Sequence, residues 1–378
     1  MSEKNQKGSA VDWLISGRGY ILAIIYTGHV LQAYFAAGFK STLPIGHVLQ
    51  VGVIPFFIVL SGAFYSRSNN GFCNYARMKL LQRYLPVLLC GVLVLPFYDL
   101  LNERMYRESM RFMHSYLFGI PTANWPTWFL VALMSSELVY FFIAKYQFTR
   151  RQLLVLAVVL YTLGWGLNHY KNLAGGWYVL VGMTWSLSSV PLFLSCMILG
   201  SLYRRKILQL RRWPKLKLSM YFVFALFVLT LFSNLNTEFP ESQNSSLMQY
   251  ISDDMVMMFV GQYGNGFYFF ISGIAGIICC FLLAKLLPVS RWALLIGENS
   301  LLIFCLNGIF HQALNPLLVK AFPLPSDLWY WGLLYGSVIG LLSITLTLPF
   351  AMALQKLLPQ LVGKPMLSGP ILPALYRK

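Results

Sequence analysis

The sequence predicts an all-α, polytopic membrane helix bundle of about ten transmembrane helices, with both termini cytoplasmic. Three observations carry that prediction. Of the 378 residues, 57% are hydrophobic, 16% aromatic and only 11% charged, a balance that excludes an ordinary soluble globule. Apolar windows long enough for the ~20 residues that cross ~30 Å of hydrocarbon recur along the whole chain. The basic residues are sorted by loop rather than scattered.

The windows fall at about 17–38, 44–66, 83–102, 126–146, 151–168, 177–203, 218–235, 264–287, 292–314 and 328–356. The first follows a polar leader, residues 1–16. Its apolar run is too long for a signal peptide and has no small-residue cleavage site, so it is expected to stay as a helix. The second ends in "FFIVLSGAF", and the third enters the membrane at Arg83. The fourth opens on Pro126 and Trp128 and holds Glu137 within "SSELVY". Arg150 and Arg151 introduce the fifth. The sixth runs into "RRKILQLRRWPKLK" (204–217), the densest basic run, which separates it from the seventh. The eighth reaches Lys285. Glu298, Asn299 and Ser300 enter the ninth, with Asn307 two turns deeper, and the tenth ends at Lys356. The fifth, seventh and ninth windows have the least sharp ends.

With the N-terminus inside, 23 of the 29 Lys and Arg residues fall on the inner side, and only Lys40, Arg104, Arg107, Arg111, Lys171 and Lys320 fall outside. That is the positive-inside pattern, and it requires an even number of spans. The net charge of +17 therefore implies a lipid bilayer as partner and no nucleic acid. Residues 17–356 read as one membrane domain between cytoplasmic segments 1–16 and 357–378. Neither an internal repeat nor the matched broken helices of an inverted-repeat transporter stand out. The six cysteines lack CxxC or Cys/His spacing, so neither a metal nor a structural disulfide is expected. Two outer loops are long: 103–125, with Arg104, Arg107, Arg111 and His114, and 236–263, with Glu238, Glu241, Asp253 and Asp254.

Within the first window, "SGRGYILAIIYTGHV" (16–30) places two ionisable groups where each raises the cost of insertion. Arg18 and His29 are eleven positions apart, which at 100° per residue brings both to nearly one face, about 16 Å apart along the axis. A ligand with an anionic head at the inner surface and a reactive end deep in the bilayer fits that pair, and acyl-coenzyme A is such a molecule. Arginine holds phosphate with several fixed donors, and a neutral imidazole accepts a proton from an attacking hydroxyl. The plainer roles are an interfacial anchor for Arg18 and a helix-helix hydrogen bond for His29.

Arg18, ten intervening residues and His29 resemble the Arg/Lys-x10-His motif of the acyltransferase-3 family, integral membrane enzymes that acylate glycans. In the family's order follow "FFIVLSGAF" (56–64), "WPTWFLVAL" (125–133) and "IGENSLLIFCLN" (296–307), which look like its second-helix, WFL and late glycine-serine segments. That last segment commonly ends in His in the family. Here Asn307 stands in its place and His311 follows one turn later. The basic RxxR after the second helix is imperfect, with Arg77, Lys79 and Arg83 in "ARMKLLQR". Ten core helices are what the resemblance implies.

The reading is a bacterial inner-membrane O-acyltransferase, multi-pass, that takes an acetyl or other short acyl group from acetyl-CoA. The acceptor is a hydroxyl of a surface polysaccharide or lipid-linked glycan. His29 is the expected base. Arg18, Arg77, Lys79 and Arg83 are read as holding the coenzyme A phosphates, although plain positive-inside bias also accounts for the last three. Glu137 is read as orienting His29 or a substrate hydroxyl, or as hydrogen-bonded to a neighbouring helix. Asn307 and Ser300 are placed near the thioester. Ser61 either lines the acyl path or packs between helices, and Trp128 either meets a sugar or anchors at the interface. A monomer and a homo-oligomer are both allowed. The alternative class is a transporter or flippase of a lipid-linked sugar that uses Arg18 and His29 as substrate or proton sites.

Overall fold

A computed structural model describes residues 3–66, 71–102, 114–174, 182–237, 256, 258 and 261–376. Arg67, Arg104, Arg107, Arg111, Glu238, Glu241, Asp253 and Asp254 lie outside the described residues. The chain folds into α1 (Glu3–Ala36), α2 (Thr42–Ala63), α3 (Phe72–Lys79), α4 (Leu85–Asn102), α5 (Trp128–Lys145), α6 (Arg150–Ala174) and α7 (Val190–Gln209). After these come α8 (Lys215–Leu235), α9 (Gly266–Leu286), α10 (Arg291–Glu298), α11 (Ser300–Ile309), α12 (Asn315–Ala321) and α13 (Trp329–Leu357). A π-helical turn, Leu80–Tyr84, joins α3 to α4, and a second, Phe310–Leu314, joins α11 to α12.

Among the described residues nine stretches are long and apolar enough to cross a membrane, and α10 with α11 makes a tenth that is bent by 81°. The ninth window is therefore not one straight helix, and Asn299 is the reason. Its Nδ2 and its backbone N–H both reach back to the carbonyl of Leu295, closing α10. Its own carbonyl accepts from the N–H groups of Leu302 and Ile303, opening α11. One residue thus satisfies the ends of two helices that point in different directions.

Contacts along α1 show that this broken segment crosses from one end of the bundle to the other. Gly297 packs on Ile15, and Ala293 on Gly19. Deeper, the Tyr26 hydroxyl donates to the Ile303 carbonyl at 2.9 Å, the His29 and His311 rings meet, and at the far end the Tyr34 hydroxyl donates to the carbonyl of Phe322 at 2.7 Å. α13 then returns, with Gly332 beside Thr42 and Thr345 bonded to Trp292. Beyond it, residues 358–376 fold back on the starting end. Gly363, at φ 93°, lies over Leu301 and the Gln82 carbonyl, and Tyr376 sits 5.9 Å from the Arg77 guanidinium. The chain enters and leaves at one end, which we call the basic end.

α1 lies at the centre, against α2, α9, α10 and α13, while α6 and α8 turn Val155, Val158, Val159, Met220, Val223 and Phe224 outward. Lipid gives no hydrophobic drive for helices to associate, so close backbone approach must supply the packing. In α13 the sequence "GLLYGSVIG" repeats glycine every fourth residue. Those glycines, Gly332, Gly336 and Gly340, meet Thr42, Leu31 and Thr27 of the first two helices.

Gly340 is the one that meets backbone: an added Cβ would stand 2.8 Å from the Thr27 backbone nitrogen. Gly340→Leu is expected to lower unfolding free energy in detergent by about 1–3 kcal/mol, the usual cost of overpacking. Gly273→Ala, whose Cβ meets nothing within 4 Å, is expected not to destabilise the protein.

Candidate active site

The polar interior of the bundle has two parts. The first is a charged knot near the basic end. Glu137 of α5 is only 2% exposed, and its two oxygens accept from four donors. Lys79 Nζ lies 3.0 Å from Oε2, and Arg83 donates through Nε to Oε2 at 3.3 Å and through Nη2 to Oε1 at 3.2 Å. The Ser61 hydroxyl donates to Oε1 at 2.9 Å. Every acceptor direction of the carboxylate is occupied. The Tyr75 hydroxyl donates to the Glu137 backbone carbonyl at 3.3 Å, holding α3 on α5.

Local structure places these cations. α3 and α4 continue through the π-helical turn, whose wider winding carries Arg83, and such turns recur at functional sites. Arg83 keeps 26% of its side-chain surface and Lys79 12%. Two cations against one carboxylate leave a net positive charge.

Arg18 adds to it. Its side chain is half-buried, within electrostatic range of Arg83 and Glu298, and it has no ion pair or hydrogen bond among the described residues. The flanking glycines explain its position: Gly17 lies against Ala284 of α9 and Gly19 against the Ala293 carbonyl of α10. α9 and α10 thus pack on the residues flanking Arg18, whose guanidinium has no neutralising partner at contact distance among the described residues.

The second part is uncharged and lies deeper. His29 Nδ1 is 3.0 Å from Gln32 Oε1, and when that nitrogen carries the proton, Nε2 is left with its lone pair. The His29 and His311 rings are 4.4 Å apart at 41°. His311 sits in the π-helical turn Phe310–Leu314, so both of these turns carry a candidate functional side chain. Asn307, one turn before it, is 0% exposed, and neither amide atom has a partner among the described residues.

These positions correct several expectations. Glu137 does not face His29, because Lys79 and Arg83 take its charge and Ser61 its remaining lone pair. For the same reason Ser61 is a carboxylate ligand rather than a free hydroxyl, and Lys79 and Arg83 are engaged with Glu137. Arg77 lies against Tyr376 instead of joining them. Trp128 packs 5.9 Å from Phe193. Ser300 begins α11 beside the bend, with Glu298 exposed on its other side. His169 stacks on Trp165 and His114 is exposed, both apart from the site. On α1, Arg18 lies within electrostatic range of Glu298 at the end of α10 and the His29 ring meets His311 just beyond α11, while Asn307 belongs to α11 itself, one turn before His311. The sequence reading passed over Gln32 and Gln50; Gln32, three residues after His29, falls on the same helix face, and Gln50 is an amide in an apolar run.

A family model described as an acyltransferase domain, that of acyltransferase-3, matches residues 11–353. The chain belongs to the acyltransferase-3 family and is a multi-pass membrane acyltransferase. No curated protein and no solved structure matches it.

The charged knot makes its own prediction. Glu137→Gln strands two cations, and breaking a buried pair in this way costs about 3–5 kcal/mol. Ser61→Ala removes one hydrogen bond, at about 1 kcal/mol. Denaturation in detergent is expected to rank the two variants in that order; equal stabilities would mean that the carboxylate is not the counter-charge.

Proposed function

We propose that this acyltransferase moves a short acyl group, an acetyl in the first instance, from acyl-CoA to a hydroxyl of a surface polysaccharide or lipid-linked glycan. The basic end faces the cytoplasm of a bacterial inner membrane. The observation that carries the reading is the order of groups from the basic end inward: Arg18, with no ion pair or hydrogen bond among the described residues, then the paired His29 and His311 rings, with the buried amide of Asn307 one turn from His311.

In this reading Arg18, with the residual positive charge of Lys79 and Arg83, attracts the phosphates of the donor. The pantetheine arm runs inward toward Asn307. His29 takes the proton of the acceptor hydroxyl as its oxygen attacks the thioester carbonyl. The Asn307 amide is placed to donate to the carbonyl oxygen as negative charge gathers there. The new C–O bond forms, the C–S bond breaks, and the imidazolium returns its proton to the departing thiolate. Direct transfer is preferred because Ser61, whose hydroxyl donates to Glu137, meets a carboxylate already bound by Lys79 and Arg83 and so a weak base for activating a nucleophile.

His29→Ala is expected to insert normally and to bind acetyl-CoA, while transfer falls roughly 10²- to 10⁴-fold. Wild-type transfer is expected to rise with pH and level off as the imidazole loses its proton. Arg18→Ala is expected to weaken acetyl-CoA binding by more than Arg150→Ala, an exposed arginine beside Tyr203. Thiol release and radiolabelled acetyl-CoA binding by purified protein check these points. Wild-type transfer by His29→Ala would leave His29 with a packing role.

A further inference from the structure

The deeper half of the site is built from neutral amides. Gln50 Nε2, Asn124 Oδ1, both side-chain atoms of Asn307, His311 Nδ1 and Asn315 Oδ1 are shielded and have no hydrogen-bond partner among the described residues. They form one seam. Asn307, His311 and Asn315 follow at four-residue steps along a single helical path through the π turn. Asn124 packs on Gly308 and donates to the Cys305 carbonyl at 2.8 Å. Gln50 lies beside Gly28, next to His29, whose ring faces His311.

Unpaired amides inside a bundle are costly compared with leucine. Such a set is expected where a ligand completes the bonds. Amides both donate and accept, as a sugar hydroxyl requires. Among the described residues no Asp, Glu, Lys or Arg side chain hydrogen-bonds to any member of the seam, and His29 is a titratable neighbour of His311. A carboxylate or phosphate lodged there would be a buried charge without a partner. The cations lie instead in the knot around Glu137, toward the basic end.

We propose that Gln50, Asn124, His311 and Asn315 form the acceptor subsite, beside the Asn307 amide that meets the thioester, and that the hydroxyl received there belongs to an uncharged sugar ring. The assignment rests on the acyl-transfer reading above and adds the class of its second substrate. Asn315 and Gln50 hold the ring's other hydroxyls, orienting the reactive one toward His29.

The test uses the full chain carrying Gln50→Leu or Asn315→Leu, which keep side-chain size and remove the amide. Radiolabelled acetyl-CoA binding by the purified variants is compared with the O-acetyl content of surface glycans, by mass spectrometry, in cells making equal amounts of protein. The expected result is unchanged acetyl-CoA binding, at least a tenfold fall in O-acetyl content, partial recovery in Asn315→Ser, and a wild-type acyl mark on a neutral sugar. Full O-acetylation in both leucine variants would overturn the proposal, as would a mark on a uronic acid or phosphorylated sugar, or loss of donor binding in step with transfer. The acyl-transfer reading fails on a separate observation, a wild type that binds no acetyl-CoA.

Discussion

An ionised carboxylate inside a membrane bundle survives only if it is neutralised where it stands, and the arrangement of this protein around Glu137 follows from that constraint. Lys79, Arg83 and Ser61 converge on it from α3, the π-helical turn and α2, so three parts of the chain are tied to α5 by one side chain. Removing water from such a group is costly, and the cost is repaid only when every lone pair finds a donor. The knot therefore fixes the geometry of the basic end. Among the described residues Arg18 is left without an ion pair, and the nearby Arg83 is already committed to Glu137.

Charge then divides the interior by depth. Cations and a carboxylate occupy the basic end, whereas imidazoles and amides occupy the middle. A donor rich in phosphate and an acceptor rich in hydroxyls would be sorted by that division without any moving part. The bend at Asn299 lets one span serve both halves. α10 lies against the helix that carries Arg18, and α11 carries Asn307 toward His311.

Much of this was legible in the sequence, because hydrophobic window length and loop charge are properties of the chain alone. The ten windows follow from the length of the apolar runs, and among the described residues the structure has nine spans and a bent tenth; the shared face expected for Arg18 and His29 follows from helical periodicity. The partners of Glu137 were not legible. Lys79 and Arg83 are 58 and 54 positions from it, and whether a basic residue meets a lipid headgroup, a ligand or a carboxylate depends on helix packing that no local pattern encodes. Nor was the bend visible, since Asn299 reads equally as a helix start and as an interior polar residue. The π-helical turns shift side-chain phase by one position, so a face predicted at 3.6 residues per turn drifts where His311 lies.

The separation of Arg83 from Glu137 also sets an order of events during synthesis. At roughly 5–20 residues per second, the 54 positions between them take about 3–11 s to make. For that interval α4 is already available to the membrane while its two cations have no carboxylate to meet. Their place at the start of the span lets them wait in the headgroup layer, where positive charge is tolerated. Only once α5 has been made can they pair with Glu137. A bundle locked by a late carboxylate thus completes its basic end in the sequence in which the ribosome delivers it.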